Sequence, residues 1–229
     1  MDDINKTLSD IISAAMTSLN QGNFEKALEE FRSAEVLDRD NPAILFNIGI
    51  TYTRLGLFKT AIEYYQRVVS SGSGYIEIAS VKKNLAYCLI KTGNYTGARS
   101  LLEELTAHSP DTAALNMKAY CLYQLNMMEE ALNTYKEVLK KNNKDLNSLN
   151  STAYLMSLSD SQLESAYKLA LHVHNADRYN PAYLDTLGYI CLKLKKYDEA
   201  AKHLATALSI MPFDKDIRNH YDELQQAVR

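Results

Sequence analysis

The sequence predicts an all-α solenoid of six consecutive helix pairs, closed by one further helix. Three observations carry this reading. A period of about 34 residues runs through nearly all of the 229-residue chain. Its apolar residues recur at helical spacing and make up 46% of the composition, too many for a disordered chain. The four prolines and eight glycines are few, as a nearly all-helical chain requires, and suit its turns. A repeat of this length with two short helices buries its apolar face only against its neighbours, so the whole of 1–229 reads as one elongated domain.

The first pair spans about 8–41. Ile4, Leu8, Ile11, Ala15 and Leu19 share one stripe and predict the opening helix. Gly22-Asn23 ends it through a positive φ, and Ala27 and Phe31 continue on the second helix. The second pair, 42–75, opens on Asn41-Pro42, where proline's fixed φ and missing N–H do no harm. It carries Gly49, the turn Gly56-Leu57, Ala61 and Tyr65. Its end holds the Ser/Gly-rich run Ser70–Gly74, a longer surface turn or a hinge. The third pair, 79–111, repeats the pattern with Ala86, Gly93-Asn94, Ala98 and Leu102.

In the fourth pair, 112–145, the anchors are Ala119, Ala131 and Tyr135. The fifth, 146–180, has Ala153, Ala166 and Ala170, and its turn Ser157–Ser161 is one residue longer and lacks glycine. The sixth, 181–214, opens on Asn180-Pro181 and carries Gly188, Ala200 and Leu204. Ile217, Tyr221, Leu224 and Val228 then mark one stripe over 215–229, the pattern of a helix that caps the last apolar face.

This small–small–large rhythm resembles the tetratricopeptide repeat family, whose pattern is a Leu-Gly pair, a Tyr, an Ala, a Phe and a Pro. The resemblance covers about 8–214 and implies a right-handed superhelix of six such pairs. Departures occur at the fourth repeat position, filled here by Ile11, Leu45, Lys82, Leu115, Leu149 and Leu184; Lys82 is expected to leave the third pair poorly anchored. The closing proline survives only as Pro110 and Pro212.

The resemblance further implies that the first helix of each pair lines a concave groove. At the ninth repeat position stand Met16, Ile50, Tyr87, Tyr120, Tyr154 and Tyr189, so four consecutive pairs present a tyrosine. Beside them lie Asn47, Asn84, Asn116 and Asn150, and Tyr123 follows one turn after Tyr120. Asparagine offers a donor and an acceptor that can bracket a peptide unit, and tyrosine supplies rigid apolar area with a hydroxyl. The alternative for each tyrosine is packing against an adjacent helix. Ile12, Met16, Phe46 and Ile50 make the amino-terminal end of this surface apolar. That end either takes hydrophobic anchors, an amphipathic helix or a second copy of the chain, or is covered by a tilt of the first helix.

Other chemistry finds little support. A net charge of -3 lacks the basic stripe of a nucleic-acid binder. The acidic start and the absence of a long apolar run argue against a secretory leader or a membrane span. Cys88, Cys121 and Cys191 lie far apart at small-residue positions and read as buried reduced thiols, which makes the cytoplasm the default location. His172 and His174 point to different faces of a helix and read as exposed rather than metal-binding. Lys136, Lys140, Lys141 and Lys144, and the group Lys193, Lys195 and Lys196, read as solvated. The residues that grip carboxylate tails in chaperone-binding members of the family are matched at one position only. No cofactor, metal or catalytic motif is predicted. The expected role is to hold a segment of a partner protein or peptide, with self-association through the apolar end as the alternative.

Overall fold

The computed structural model describes residues 2–72, 77–108 and 110–229. Ser73 and Gly74, the last two residues of the Ser/Gly-rich run, lie outside them. Thirteen α-helices are present among the described residues, and no strand. In chain order they are α1 (Asp2–Asn20), α2 (Phe24–Leu37), α3 (Pro42–Arg54), α4 (Phe58–Ser71), α5 (Ile78–Lys91), α6 (Tyr95–His108) and α7 (Thr112–Gln124). There follow α8 (Met128–Lys141), α9 (Leu146–Ser157), α10 (Leu163–Ala176), α11 (Pro181–Lys193), α12 (Tyr197–Ile210) and α13 (Lys215–Ala227). Their packing separates two compact units, residues 1–126 with α1 to α7 and residues 127–229 with α8 to α13.

The sequence sets these boundaries by two local devices. Helices α3, α7, α9, α11 and α13 each begin at an Asn or Asp whose side chain accepts from an N–H in the first turn: Asn41, Asp111, Asp145, Asn180 and Asp214. Such a cap contributes about 1 kcal/mol by satisfying a donor with no intrahelical partner. The turn inside a pair places one residue in the left-handed region, seven positions after the small anchor residue. Gly22, Gly56 and Gly93 hold that place, and Asn126 and Lys195 hold it in later repeats at φ 62° and 59°. Leu57 N–H then donates to Tyr52 O and Lys196 N–H to Cys191 O, which satisfies helix-end carbonyls. The glycine-free fifth turn is built differently, with a 3-10 helix over Asp160–Gln162.

Unit one packs α1 on α2, α3 on α4 and α5 on α6, each pair also against the next. Ala15, Ala27, Phe31, Ile48, Ala61, Tyr65, Ala86, Ala98 and Leu102 are fully buried between them. Gly49 leaves room for the Tyr65 ring, since a Cβ there would lie 2.6 Å from Tyr65 Cε1 and force a shift. Unit two repeats the arrangement in α9 to α12, where a Cβ on Gly188 would lie 2.7 Å from Leu204 Cγ. Helix α13 adds Ile217 and Leu224 to the buried surface.

Two expectations are revised here. Lys82 does not leave the third pair loose: its side chain is largely buried and its Nζ lies 2.5 Å from Glu104 Oε1, tying α5 to α6. His174 is not exposed; its ring meets His203 edge-on at 5.1 Å, and burial lowers the pKa of both. Helical periodicity had put His174 two residues from the exposed His172, hence on another face. All three cysteines are buried and unpaired, and burial pushes the Cys121 and Cys191 thiols up to about 12.

Candidate functional site

Within unit one, Tyr87 on α5 and Tyr120 on α7 are 39% and 38% exposed. Each is held from one side by an aromatic ring that opens a second helix. Phe58 meets Tyr87 edge-on at 6.0 Å, and Tyr95 meets Tyr120 in the same manner at 6.1 Å. Such contacts orient a ring without covering its outer face. Lys91 Nζ also lies 5.6 Å from the Tyr87 ring centroid. Phe58 and Tyr95 were not among the sequence candidates, although an aromatic recurs nine residues after the anchor, at Phe24, Phe58, Tyr95 and Tyr197.

The asparagines are partly committed. Asn47 Nδ2 donates to Ala43 O at 2.8 Å and Asn84 Nδ2 to Ser80 O at 2.9 Å, each bond within its own helix. These bonds fix the amide and leave its oxygen as the ready acceptor. Asn116 and Tyr123 are half-buried on α7. Ile12, Met16, Phe46 and Ile50 are half-buried too, packed on the core of unit one, with the Phe46 ring 5.9 Å from that of Tyr65.

In unit two the corresponding residues close on one another. Asn150 Nδ2 donates to Thr186 Oγ1 at 3.0 Å, and the Tyr154 and Tyr189 rings lie 5.7 Å apart. Tyr189 is only 9% exposed, because His220 of α13 stacks on it at 4.3 Å. His220 Nδ1 in turn faces both carboxylate oxygens of Asp185, at 2.9 and 3.0 Å. Burial raises the Asp185 pKa above its ordinary value, and the imidazole beside it partly offsets the rise. Among the described residues, no group of three or more His, Cys, Asp or Glu side chains is placed to hold a metal ion, and no helix is long and apolar enough to cross a membrane.

Residues 19–56 match the family model described as TPR repeat, and residues 181–214 match that described as tetratricopeptide repeat. Residues 55–138 match a model described as subunit 3 of the anaphase-promoting complex, or cyclosome. The TPR repeat-containing protein YpiA of Bacillus subtilis is 25% identical over 197 residues. That match takes in 84% of this chain but 45% of YpiA, so the chain spans about half the length of this relative. Among solved structures, pilF of Pseudomonas aeruginosa superposes with a TM-score of 0.72 at 18% identity, covering 98% of this chain and 99% of that one. The APC/C hetero-tetramer Cut9–Hcn1 superposes at 0.74 with 15% identity, covering 95% of this chain and 42% of that one. The chain is a tetratricopeptide repeat protein with the all-α repeat fold of that family. Such repeats generally serve as scaffolds for protein–protein contact rather than as enzymes.

Proposed function

We propose that this protein is a non-enzymatic interaction scaffold that holds a segment of a partner protein against its first-helix surfaces. Tyr87 and Tyr120 are the principal contacts, with the amides of Asn47, Asn84 and Asn116 and the ring of Tyr123 beside them. In unit two Asn150 and Tyr154 hold the equivalent repeat positions, while Tyr189 serves chiefly as the bed for His220. The observation that carries this reading is the exposure of Tyr87 and Tyr120, each 39% and 38% open yet oriented by a neighbouring ring. Ordered aromatic surface of this kind supplies contact area at low entropic cost. The hetero-tetrameric assembly named for Cut9–Hcn1 supports partner binding by this fold. The three buried, unpaired thiols support a reducing, cytoplasmic setting.

Capture from source-cell lysate tests the proposal, with the wild-type chain and a Tyr87→Ala, Tyr120→Ala variant as baits of equal helicity. Partners retained by the first and lost by the second are expected. Equal retention by both baits would refute the assignment.

A further inference from the structure

Three helices of unit one carry no acidic residue. Helices α3, α5 and α7 contain no Asp or Glu, and five cations: Arg54, Lys82, Lys83, Lys91 and Lys118. Helices α2, α4 and α6 are mixed, with seven acidic and five basic residues. Internal pairing accounts for only some of the cations. Lys82 pairs with Glu104 and Lys83 with Asp111, but among the described residues no ion pair involves Arg54, Lys59, Lys91 or Lys118.

Two of these unpaired cations flank one depression. A hollow of about 380 Å³ is lined by Gly56, Leu57, Phe58, Lys59, Thr60, Lys91 and Thr92, with no carboxylate among them. Its floor is apolar, since Leu57 is 51% exposed and Phe58 supports the Tyr87 ring. Lys91 joins the hollow to that ring. Two cations beside exposed apolar surface, at a hollow with no carboxylate in its lining, complement a ligand that is anionic and apolar together.

Building on the scaffold reading above, we propose that unit one recognises an acidic segment of a partner protein. A carboxylate of that segment meets Lys59 and Lys91, and an adjacent aromatic or large apolar side chain packs on Leu57 and Tyr87. A protein segment fits this surface better than a nucleic acid does. Two lysines fall short of the basic stripe that a nucleic-acid backbone needs, and the chain as a whole carries a net charge of -3.

The test uses the full chain and fluorescence anisotropy with a labelled dodecapeptide of repeating Glu-Phe-Glu-Gly. Its comparators are the same peptide with Gln or Lys in place of Glu, and an oligouridine dodecamer. The acidic peptide is expected to bind about tenfold more tightly than the Gln peptide at low ionic strength, and to lose most of that advantage at high salt. The Lys59→Glu, Lys91→Glu variant is expected to weaken the acidic peptide about tenfold and leave the Gln peptide unchanged, at unaltered helicity. Equal affinity for the acidic and Gln peptides would overturn the proposal, as would tighter binding of the RNA or no binding of any peptide. If both neutral and acidic peptides bind equally and are lost with Tyr87→Ala, the scaffold reading stands and the acidic preference falls. Failure of the scaffold reading shows instead in lysate capture indifferent to Tyr87 and Tyr120.

Discussion

His220 of α13 places Nδ1 against both oxygens of Asp185 on α11, at 2.9 and 3.0 Å, with each side chain only 12% exposed. The pair holds the last helix on the repeat stack from the polar side, as Ile217 and Leu224 hold it from the apolar side. Asn150 and Thr186 form the same link one repeat earlier.

A double-mutant cycle measures what this link contributes. His220→Ala leaves a buried carboxylate without its partner and removes the ring stacked on Tyr189. The expected loss is about 3 kcal/mol in urea denaturation. Asp185→Asn, His220→Ala is expected to recover part of the loss, because no charge is then left buried. A double variant no more stable than the single one would place the whole effect in lost packing.

The same pair gives stability a pH dependence of defined sign. The pKa of Asp185 is raised above 3.8 in the folded protein, with burial as the largest cause. A folded state that holds its proton more tightly than the unfolded chain is favoured at low pH. Relative to Asp185→Asn, the wild type should therefore be most stable below pH 3.8 and lose that advantage as pH rises through the raised folded value. Parallel unfolding curves for the two proteins at every pH would contradict the assignment.

Buried thiols give a third expectation. Cys88, Cys121 and Cys191 are fully buried, and the Cys121 and Cys191 thiols are held up at about 12, so little thiolate is accessible at neutral pH. A coloured disulfide reagent should label the native chain only at the rate of its opening and all three cysteines at once in denaturant. Prompt labelling of any one in the native state would mark a locally loose repeat.

How far the sequence discloses this molecule depends on the range of the contact concerned. Gly49 beside Tyr65 and Gly188 beside Leu204 are sixteen residues apart within one pair, and close approach forces a small residue opposite a large one, so the spacing is visible in the chain. Capping residues are likewise local, and Asn41 and Asn180 are readable beside the prolines that follow them. The Asp185–His220 link joins helices 35 residues apart, and the equivalent place one repeat earlier is filled by Asn and Thr. Chemistry there varies while geometry repeats, so periodicity does not announce it. The same limit applies to the rings: position nine is legible as tyrosine, but whether a tyrosine stays open, as Tyr87 does, or is covered, as Tyr189 is, depends on the neighbouring helix.

The left-handed turn residue supplies the last prediction, because glycine and non-glycine residues hold the same place. Lys195 sits at φ 59° where Gly56 sits at 74° in an equivalent turn. A side chain with a Cβ in that region carries strain of about 1 kcal/mol that glycine escapes. Lys195→Gly should therefore stabilise the chain by up to about 1 kcal/mol, reduced by the greater freedom glycine gives the unfolded chain. Gly56→Ala should destabilise it by about 1 kcal/mol, although nothing lies within 4 Å of the added Cβ. The opposed signs mark backbone strain as the cause, since a Cβ added at Gly56 meets no neighbour. Urea midpoints moving in the same direction for both variants would show that the turn is not set by its left-handed residue.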